Sequence, residues 1–363
     1  MKQEKIIVKL GKNSYSVSIG RGLMDNIGAY VKNILQGSTV AIITDDVVAP
    51  LYLERARASL KRSGLRVVTV ALPDGEEQKS VETAKHICEE LIKNNIDRTH
   101  SLMALGGGVI GDLTGFAASI YMRGIPFIQV PTTLLAQVDA SIGGKTAVNL
   151  PSGKNLIGTF YQPKAVFIDV DVLDSLKGEV FAEGMSEIIK HGIIRDANYF
   201  GFLEENLKGI LAGDKNLMIK MVAVSCRIKA EVVSEDEKES GLRAILNYGH
   251  TIAHAIESLS SYRSVLHGQA VSIGMAVAGR IAVLKGIFPE KELEKQNRLL
   301  RNAGLPVSQS KFSPEDIIRA LKNDKKAKDG KIRFVLPVKI GRVIITDDVD
   351  DALISKAVDS VFI

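Results

Sequence analysis

The stretch Leu105-Gly106-Gly107-Gly108-Val109-Ile110-Gly111-Asp112 decides the fold, because it joins a compact apolar run to a helical pattern. Residues 101–105 favour a buried strand, and residues 113–120 have helical spacing. Glycines in such a turn let backbone amides approach a pyrophosphate, and the helix N-terminus favours negative charge. The GxGxxG spacing therefore indicates a dinucleotide site, with a tight turn that binds no ligand as the alternative.

The usual dinucleotide fingerprint lies in the first strand–helix unit and is followed about 20 residues later by an acid that binds the ribose. Here the glycine turn follows a later strand, and the next strand ends in Pro131-Thr132-Thr133. The acid must then come from elsewhere. The candidates for this contact are Asp45, after a strand predicted over 39–44, and Glu76 and Lys79 in the turn 73–79.

Short strands and helices alternate in the first half of the chain, which is typical of a parallel sheet covered on both faces. Strands are predicted over 5–10 and 14–20 (as a hairpin), 39–44, 66–72, 101–105, 126–130 and 165–170, with helices such as 47–63 and 80–95 between them. In the second half, helices are predicted over 179–195, 213–232, 248–260, 267–285 and 289–303, and strands over 332–338 and 342–345 before a last helix. We therefore predict an α/β fold. An N-terminal Rossmann-like domain with a mostly parallel sheet (1–175) is packed on a C-terminal, largely α-helical, metal-binding domain (176–363).

The composition favours a cytoplasmic enzyme. Among 363 residues, 47 basic and 42 acidic side chains leave a net charge of +5, too weak to indicate nucleic-acid binding, and tryptophan is absent. Only Cys88 and Cys226 are present, which excludes a disulfide framework. The N-terminus lacks the apolar stretch of a signal peptide, and no uncharged apolar run reaches the roughly 18 residues of a membrane span.

A second glycine-rich stretch ends in Gly143-Gly144-Lys145-Thr146, which looks like the end of a phosphate-binding P-loop. A P-loop needs another glycine five residues before Gly144, where this chain has Asp139, so we reject an NTPase. Lys145 and Lys154 each lie beside a glycine turn. They are candidate anion contacts, with solvated surface lysines as the alternative.

Three of the six histidines lie within residues 250–267, a density that marks a metal or acid–base site. His250 and His254 are four residues apart on one helix face, without the glutamate of the HExxH pattern, and His267 begins the next helix. Histidines packed near a helix end are the alternative. A catalytic zinc needs three protein ligands, and Glu187, three residues before Lys190, is the candidate for the third, with a surface ion pair as its alternative.

Ten ordered motifs run along the chain: Gly106–Asp112, Tyr121–Gly124, Pro131–Thr133, Asp139–Thr146, Gly153–Gly158, Gly184–Lys190, Lys229–Glu231, Arg243–His254, Leu266–Gly268 and Lys325–Lys326. In this order and spacing the chain resembles the 3-dehydroquinate synthase family over essentially its whole length. The resemblance implies conversion of 3-deoxy-D-arabino-heptulosonate 7-phosphate to 3-dehydroquinate and phosphate in the shikimate pathway. It also implies NAD and a divalent metal (zinc or cobalt) as cofactors, and a homodimer.

The resemblance further implies the site residues. The implied metal ligands are Glu187, His250 and His267. The implied NAD contacts are Asp45, Asp74, Gly75, Glu76, Lys79, Gly107, Gly108, Val109, Ile110, Gly111, Asp112, Thr132, Thr133, Lys145, Lys154, Val172, Leu173, Asp174 and Ser175. In many members the last four positions are a Thr-Leu-Lys-Thr-like stretch. The implied substrate contacts are Asp139, Lys145, Asn155, Lys190, Lys229, Arg243, Asn247, His254 and Lys326, with Arg123 reaching the substrate phosphate from the neighbouring subunit.

Two other enzyme classes fit part of this pattern. Another sugar-phosphate cyclase would share the metal and NAD sites and differ in its substrate contacts, where Lys229 and Arg243 suit a substrate carboxylate. A metal-dependent polyol dehydrogenase of the glycerol dehydrogenase type needs no phosphate contacts, so Lys145 and Lys154 argue against it. A non-enzymatic protein with a vestigial pocket would have lost ligands, and none is lost.

Overall fold

The computed structural model describes residues 3–35, 37–260, 265–327 and 332–362, with the backbone alone for 322–327. By their internal contacts they form two compact units: unit 1 is Met1–Leu176 with Met218–Lys238, and unit 2 is Lys177–Leu217 with Glu239–Ile363. The predicted division after residue 175 put the segment Met218–Lys238 in the C-terminal domain, whereas its contacts group it with unit 1.

The regular elements follow one another in chain order. The strands are β1 (Glu4–Val8), β2 (Tyr15–Gly20), β3 (Thr39–Asp45), β4 (Arg66–Leu72), β5 (Ser101–Gly106), β6 (Phe127–Pro131), β7 (Lys145–Leu150), β8 (Gly153–Phe160), β9 (Ala165–Asp169), β10 (Phe334–Lys339) and β11 (Arg342–Thr346). The α-helices are α1 (Ile27–Ile34), α2 (Glu54–Arg62), α3 (Val81–Lys93), α4 (Gly108–Ile120), α5 (Gly178–Arg195), α6 (Ala197–Leu211), α7 (Lys215–Glu235), α8 (His250–Leu259), α9 (His267–Leu284), α10 (Glu290–Asn302), α11 (Pro314–Ala327) and α12 (Asp351–Asp359).

Unit 1 is built on a seven-stranded sheet of order β1-β2-β9-β6-β5-β3-β4. Only β1 and β2 are antiparallel, which confirms the predicted hairpin and the mostly parallel sheet. Alternate side chains of β3 enter different cores: Ala41 and Ile43 pack with residues of α3 and α4, and Val40 and Ile42 pack with residues of α1 and α2. Helices on both faces explain why the central strands β3, β5 and β6 are buried throughout and mostly apolar.

Two parts of unit 1 differ from the prediction. β7 and β8 form a separate antiparallel hairpin in the glycine-rich stretch for which no strand was predicted. The helix predicted over 47–63 begins only at Glu54, because residues 49–53 form a wider π-helical turn that contains Pro50. Proline has no backbone N–H to donate, so a regular helix is disfavoured there.

Unit 2 is largely helical, as predicted. Helix α9 is buried on almost all sides from Gly268 to Ala282, and α5, α8, α10 and α12 pack against it. The antiparallel hairpin of β10 and β11 also packs on this helical unit, and α12 follows it, both as predicted. Among the helices of the described ranges, none has the length and apolar character needed to cross a bilayer.

Candidate active site

The carboxyl ends of β3, β5 and β6 meet at one edge of the sheet in unit 1. Ile43 pairs with Ala104 in the parallel register, so Asp45 ends β3 beside Gly106, which in turn pairs with Pro131. β4 and β5 flank β3 on opposite sides, and such a reversal of strand order leaves the crevice in which open parallel sheets bind nucleotides. An acidic side chain, Asp45, thus lies next to the glycine turn at the end of a neighbouring strand.

Polar groups at this edge suit a nucleotide. Asp45 is buried, and its Oδ1 accepts hydrogen bonds from the backbone N–H groups of Val47 (3.1 Å) and Val48 (2.7 Å). Burial raises the pKa of Asp45, and these N–H groups act in the opposite direction. Thr132 Oγ1 is buried and has no hydrogen-bond partner among the described residues. An unsatisfied hydroxyl beside the N-terminus of α4, which begins at Gly108, fits a cofactor with many polar groups.

Lys79 is the centre of a largely buried polar network at the same end of the unit. Its Nζ lies 2.5 Å from Asp112 Oδ2 and donates to Asn155 Oδ1 at 2.6 Å. Asn149, which the sequence did not single out, connects this network to Glu76. Its Nδ2 donates to Glu76 Oε1 at 2.9 Å, and its Oδ1 accepts from the Asn155 backbone N–H at 2.9 Å. The structure therefore brings together four predicted residues, Glu76, Lys79, Asp112 and Asn155. Asn149, which was not predicted, links Glu76 to the other three.

Helix α7 carries Lys229 to Asp139 within unit 1. Lys229 Nζ lies 2.5 Å from both the backbone oxygen and Oδ1 of Asp139, and the lysine is only 6% exposed. A lysine at the surface would be solvated, whereas Lys229 is buried and paired within unit 1. Its ammonium group is held in place by two oxygens of one residue.

The remaining predicted contacts of unit 1 are distributed over its turns and its hairpin. Lys154 Nζ lies 3.6 Å from Glu76 Oε1, Gly75 has φ +128°, and Arg123 has φ +66° in the turn after α4. Lys145 begins β7. Four predicted contacts lie in the glycine turn or at the start of α4: Gly107, Val109, Ile110 and Gly111. Thr133 lies in the turn after β6, and Asp74 lies in the turn after β4. Val172, Leu173, Asp174 and Ser175 form the turn after β9, where Val172 and Leu173 are buried and the backbone oxygen of Val172 accepts from the Tyr52 hydroxyl.

Three side chains of the metal-ligand type converge in unit 2. Glu187 in α5 is fully buried, and its Oε1 lies 3.8 Å from His250 Nε2 and 3.9 Å from His267 Nε2. These distances exceed a hydrogen bond. They suit ligands that share one cation, since two donors about 2.1 Å from a tetrahedral zinc lie about 3.4 Å apart. Oε1 accepts no hydrogen bond from the described residues, while Oε2 is paired with Lys190 Nζ. The donor set therefore fits a divalent metal.

The second ring nitrogen of each histidine already has a partner. His250 Nδ1 lies 3.3 Å from the backbone oxygen of Tyr248, and His267 Nδ1 lies 3.1 Å from Glu257 Oε1. With the proton on Nδ1 in both rings, each Nε2 keeps a lone pair directed at the cluster. Glu257 was missed by the sequence analysis, although its position seven residues after His250 on one helix could have indicated it.

Close packing of helices sets the ligand positions. A Cβ atom at Gly274 in α9 would lie 1.9 Å from the backbone oxygen of Gly249, the residue before His250. Gly249 itself has φ +84°. A Cβ atom at Gly268 would lie 2.4 Å from Glu183 Cα in α5. The helices that supply the three ligands thus approach one another where side chains are absent.

The other residues predicted for unit 2 lie on the elements around this cluster. Arg243 is 2% exposed, and Asn247 Nδ2 donates to Glu239 Oε1 at 2.9 Å, a contact the sequence did not indicate. His254 lies one turn after the ligand-type histidine of α8, with ring centroids 5.7 Å apart. Lys326 lies in α11, and its side chain is outside the part that the structure describes.

Sequence comparisons link the chain to one enzyme family. The profile of the 3-dehydroquinate synthase N-terminal region matches residues 69–183, and that of the C-terminal region matches residues 184–327. The 3-dehydroquinate synthase of Citrifermentans bemidjiense is 48% identical over 338 residues, 93% of each chain. That of Picosynechococcus sp. is 48% identical over 351 residues, 96% of each chain.

Solved structures of sugar-phosphate cyclases have the same fold. A 2-epi-5-epi-valiolone synthase from Streptomyces hygroscopicus, with NAD+ and Zn2+ bound, has a TM-score of 0.88 at 28% identity over 96% of each chain. A 2-deoxy-scyllo-inosose synthase complexed with carbaglucose-6-phosphate, NAD+ and Co2+ has a TM-score of 0.89 at 27% identity, covering 98% of this chain and 100% of that one. The glycerol dehydrogenase of Schizosaccharomyces pombe is alike in fold alone, with a TM-score of 0.67 at 16% identity over 95% of this chain and 88% of that one.

Proposed function

Since the chain belongs to the 3-dehydroquinate synthase family, we propose that it is the lyase that converts 3-deoxy-D-arabino-heptulosonate 7-phosphate into 3-dehydroquinate and phosphate. The observation that carries the proposal is the convergence of Glu187, His250 and His267, in a chain that is 48% identical to named 3-dehydroquinate synthases. These relatives are named for this reaction, which favours the heptulosonate phosphate over the substrates of other sugar-phosphate cyclases.

We assign NAD to the sheet edge of unit 1 and one divalent metal to the three ligands of unit 2. When bound, the metal polarises the substrate hydroxyl, and NAD takes up a hydride that it returns within the same turnover. The cyclases solved with NAD+ and either Zn2+ or Co2+ support both assignments. Two imidazoles and a carboxylate are a donor set that zinc accepts in catalytic sites.

In unit 1, we assign the cofactor contacts by chemistry. The Asp45 carboxylate would accept hydrogen bonds from ribose hydroxyls, and the backbone of Gly107 and Gly108 would hold the pyrophosphate. Lys79, held by Asp112 and Asn155, supplies a fixed positive charge beside this anionic cofactor. Because the lysine is already held, little side-chain entropy is lost when NAD binds.

We assign the substrate contacts by charge. Lys229, whose ammonium group Asp139 fixes, and the buried Arg243 bind the substrate carboxylate. The phosphate of the substrate is assigned to Lys145, Asn155, Lys326 and Arg123.

Oxidation of the substrate hydroxyl to a ketone makes the adjacent C–H acidic. The substrate phosphate takes that proton and leaves with the electrons of the C–O bond, so β-elimination needs no protein base. His254 and Lys190 stabilise the negative charge that develops. After the ketone is reduced again, the ring opens and an intramolecular aldol step closes the carbocycle.

We also propose a cytoplasmic homodimer. Met122, beside Arg123, is 44% exposed, and on β8 Leu156 and Phe160 are 59% and 46% exposed. Large apolar side chains on a turn and a two-stranded hairpin suit a surface that a second copy covers.

Phosphate release tests the proposed function. The purified protein is incubated with the heptulosonate phosphate, catalytic NAD and zinc, with and without excess chelator. We expect release that stops with chelator and no net accumulation of NADH. Steady NADH formation would instead indicate a polyol dehydrogenase, and no release in the presence of metal would contradict the proposal.

A further inference from the structure

Glu257 lies where it can direct a ligand that another helix supplies. It follows His250 by seven residues on α8, two helical turns, so both side chains lie on the same face of that helix. Glu257 is 5% exposed, and its Oε1 lies 3.1 Å from Nδ1 of His267, the first residue of α9. Helix α8 therefore carries one ligand-type histidine and the partner of the other.

A carboxylate that accepts a hydrogen bond from one ring nitrogen of a histidine changes how strongly the other ring nitrogen binds a metal. An Nδ1–H group that donates to Glu257 fixes the tautomer in which Nε2 has the lone pair, and the negative charge makes that nitrogen more basic. His267 Nε2 is the atom that lies 3.9 Å from Glu187 Oε1. The Nδ1 atom of His250 instead lies 3.3 Å from a neutral acceptor, the backbone oxygen of Tyr248.

The backbone at the start of α9 also packs closely against α5. A Cβ atom at Gly268, the residue after His267, would lie 2.4 Å from Glu183 Cα. His267 thus begins a helix that is packed on α5, and its ring is held by Glu257 of α8, while its Nε2 faces Glu187.

We propose that Glu257 is a positioning residue of the metal centre, acting through His267 by holding the ring in its ligating tautomer and orientation. The inference rests on the proposed metal site and adds to it a residue that touches neither substrate nor cofactor. Since outer partners of this kind contribute about 10–100-fold to metal affinity, the effect is measurable without turnover.

The experiment measures zinc affinity by competition with a chromophoric chelator, using the full-length chain freed of metal. The variants are Glu257→Gln, His267→Ala and the double variant, with Glu290→Gln as the matched control. Glu290 is an exposed glutamate paired with Arg280 in the same unit. We expect Glu257→Gln to weaken zinc binding about 10–100-fold, and Glu290→Gln to leave it within about twofold.

The double variant separates positioning from general electrostatics. If Glu257 acts through His267, adding Glu257→Gln to His267→Ala weakens zinc binding no further. The absorption spectrum of the cobalt-loaded protein should also change in Glu257→Gln, because the ligand field changes, whereas a purely structural role would leave it unaltered.

Wild-type affinity and spectrum in Glu257→Gln would overturn the inference, as would an equal further loss in the His267→Ala background. Unchanged zinc affinity in His267→Ala would instead contradict the proposed metal site itself. If Glu257→Gln does not fold, as judged by circular dichroism, Glu257→Asp takes its place. That variant keeps the charge but shortens the reach, and wild-type affinity in it would also overturn the inference.

Discussion

Replacing Gly274 with alanine should disturb the metal centre without touching any ligand. The new Cβ atom would lie 1.9 Å from the backbone oxygen of Gly249, whereas carbon and oxygen normally approach to about 3.3 Å. Helices α8 and α9 must therefore separate by more than about 1 Å, and His250, the next residue after Gly249, moves with α8. Overpacking of this kind costs about 1–3 kcal/mol.

The measurement has two parts. For a chain of this size the cost corresponds to a Tm lower by about 1–4 °C in the metal-free protein. Zinc affinity, measured by chelator competition, should fall about 10–100-fold, because a ligand has lost its support.

Gly201→Ala in α6 is the matched control, since its Cβ atom would meet nothing within 4 Å. It should keep zinc affinity and stabilise the protein by up to about 1 kcal/mol, through the lower chain entropy of the unfolded state. If Gly274→Ala behaved like Gly201→Ala in both measurements, close helix contact would not be what positions His250.

Three further changes test other parts of the site. Lys79→Met leaves the Asp112 carboxylate buried without its cation, so we expect the free energy of unfolding to fall by about 3–5 kcal/mol. Saturable NAD binding, measured by fluorescence titration, should also be lost. If the variant kept both its stability and NAD binding, the role given to the Lys79 network would be wrong. In Asp45→Asn the amide oxygen still accepts the two backbone hydrogen bonds, and NAD binding should weaken. Because burial raises the pKa of Asp45, the wild type loses stability as pH rises through the ordinary value of 3.8. In urea unfolding at pH 7, the Asp45→Asn variant should thus be at least as stable as the wild type. The difference in unfolding free energy should disappear below pH 3.8. A variant less stable than the wild type at pH 7 would contradict the raised pKa of Asp45. Glu187→Gln should stop phosphate release while NAD binding persists, and release at the wild-type rate would exclude Glu187 as a metal ligand.

The sequence predicted those parts of the fold that local patterns determine. The buried strands of unit 1 are continuous apolar runs, and the helices around His250 and His267 have clear apolar spacing, so both were found within a few residues. Three helices were not predicted: α1, α6 and α11. The hairpin of β7 and β8 was also missed, because glycines hide the alternation of its side chains and β8 is largely exposed.

The candidate site shows a similar limit. Residues that belong to a local motif, such as Gly108 and His250, can be proposed as site residues from spacing. Asn149 and Glu257 have no motif, because their roles come from contacts with residues that the fold brings near, through hydrogen bonds of 2.9 and 3.1 Å. Lys229 is similar, since only the grouping of α7 with unit 1 makes it a partner of Asp139.

The grouping of Met218–Lys238 with unit 1 has a consequence for the order in which the protein forms during synthesis. The chain passes from one unit to the other three times, so a ribosome that has made residues 1–176 has not yet supplied all of the first unit. Cys226, whose Sγ donates to the backbone oxygen of Gln137, and its buried apolar neighbours are synthesised only after all of α5 and α6. Domains generally fold as units during translation, N-terminal first. Here unit 1 cannot be complete until residue 238 has left the ribosome, so we expect the apolar surface that Met218–Lys238 covers to stay exposed until then.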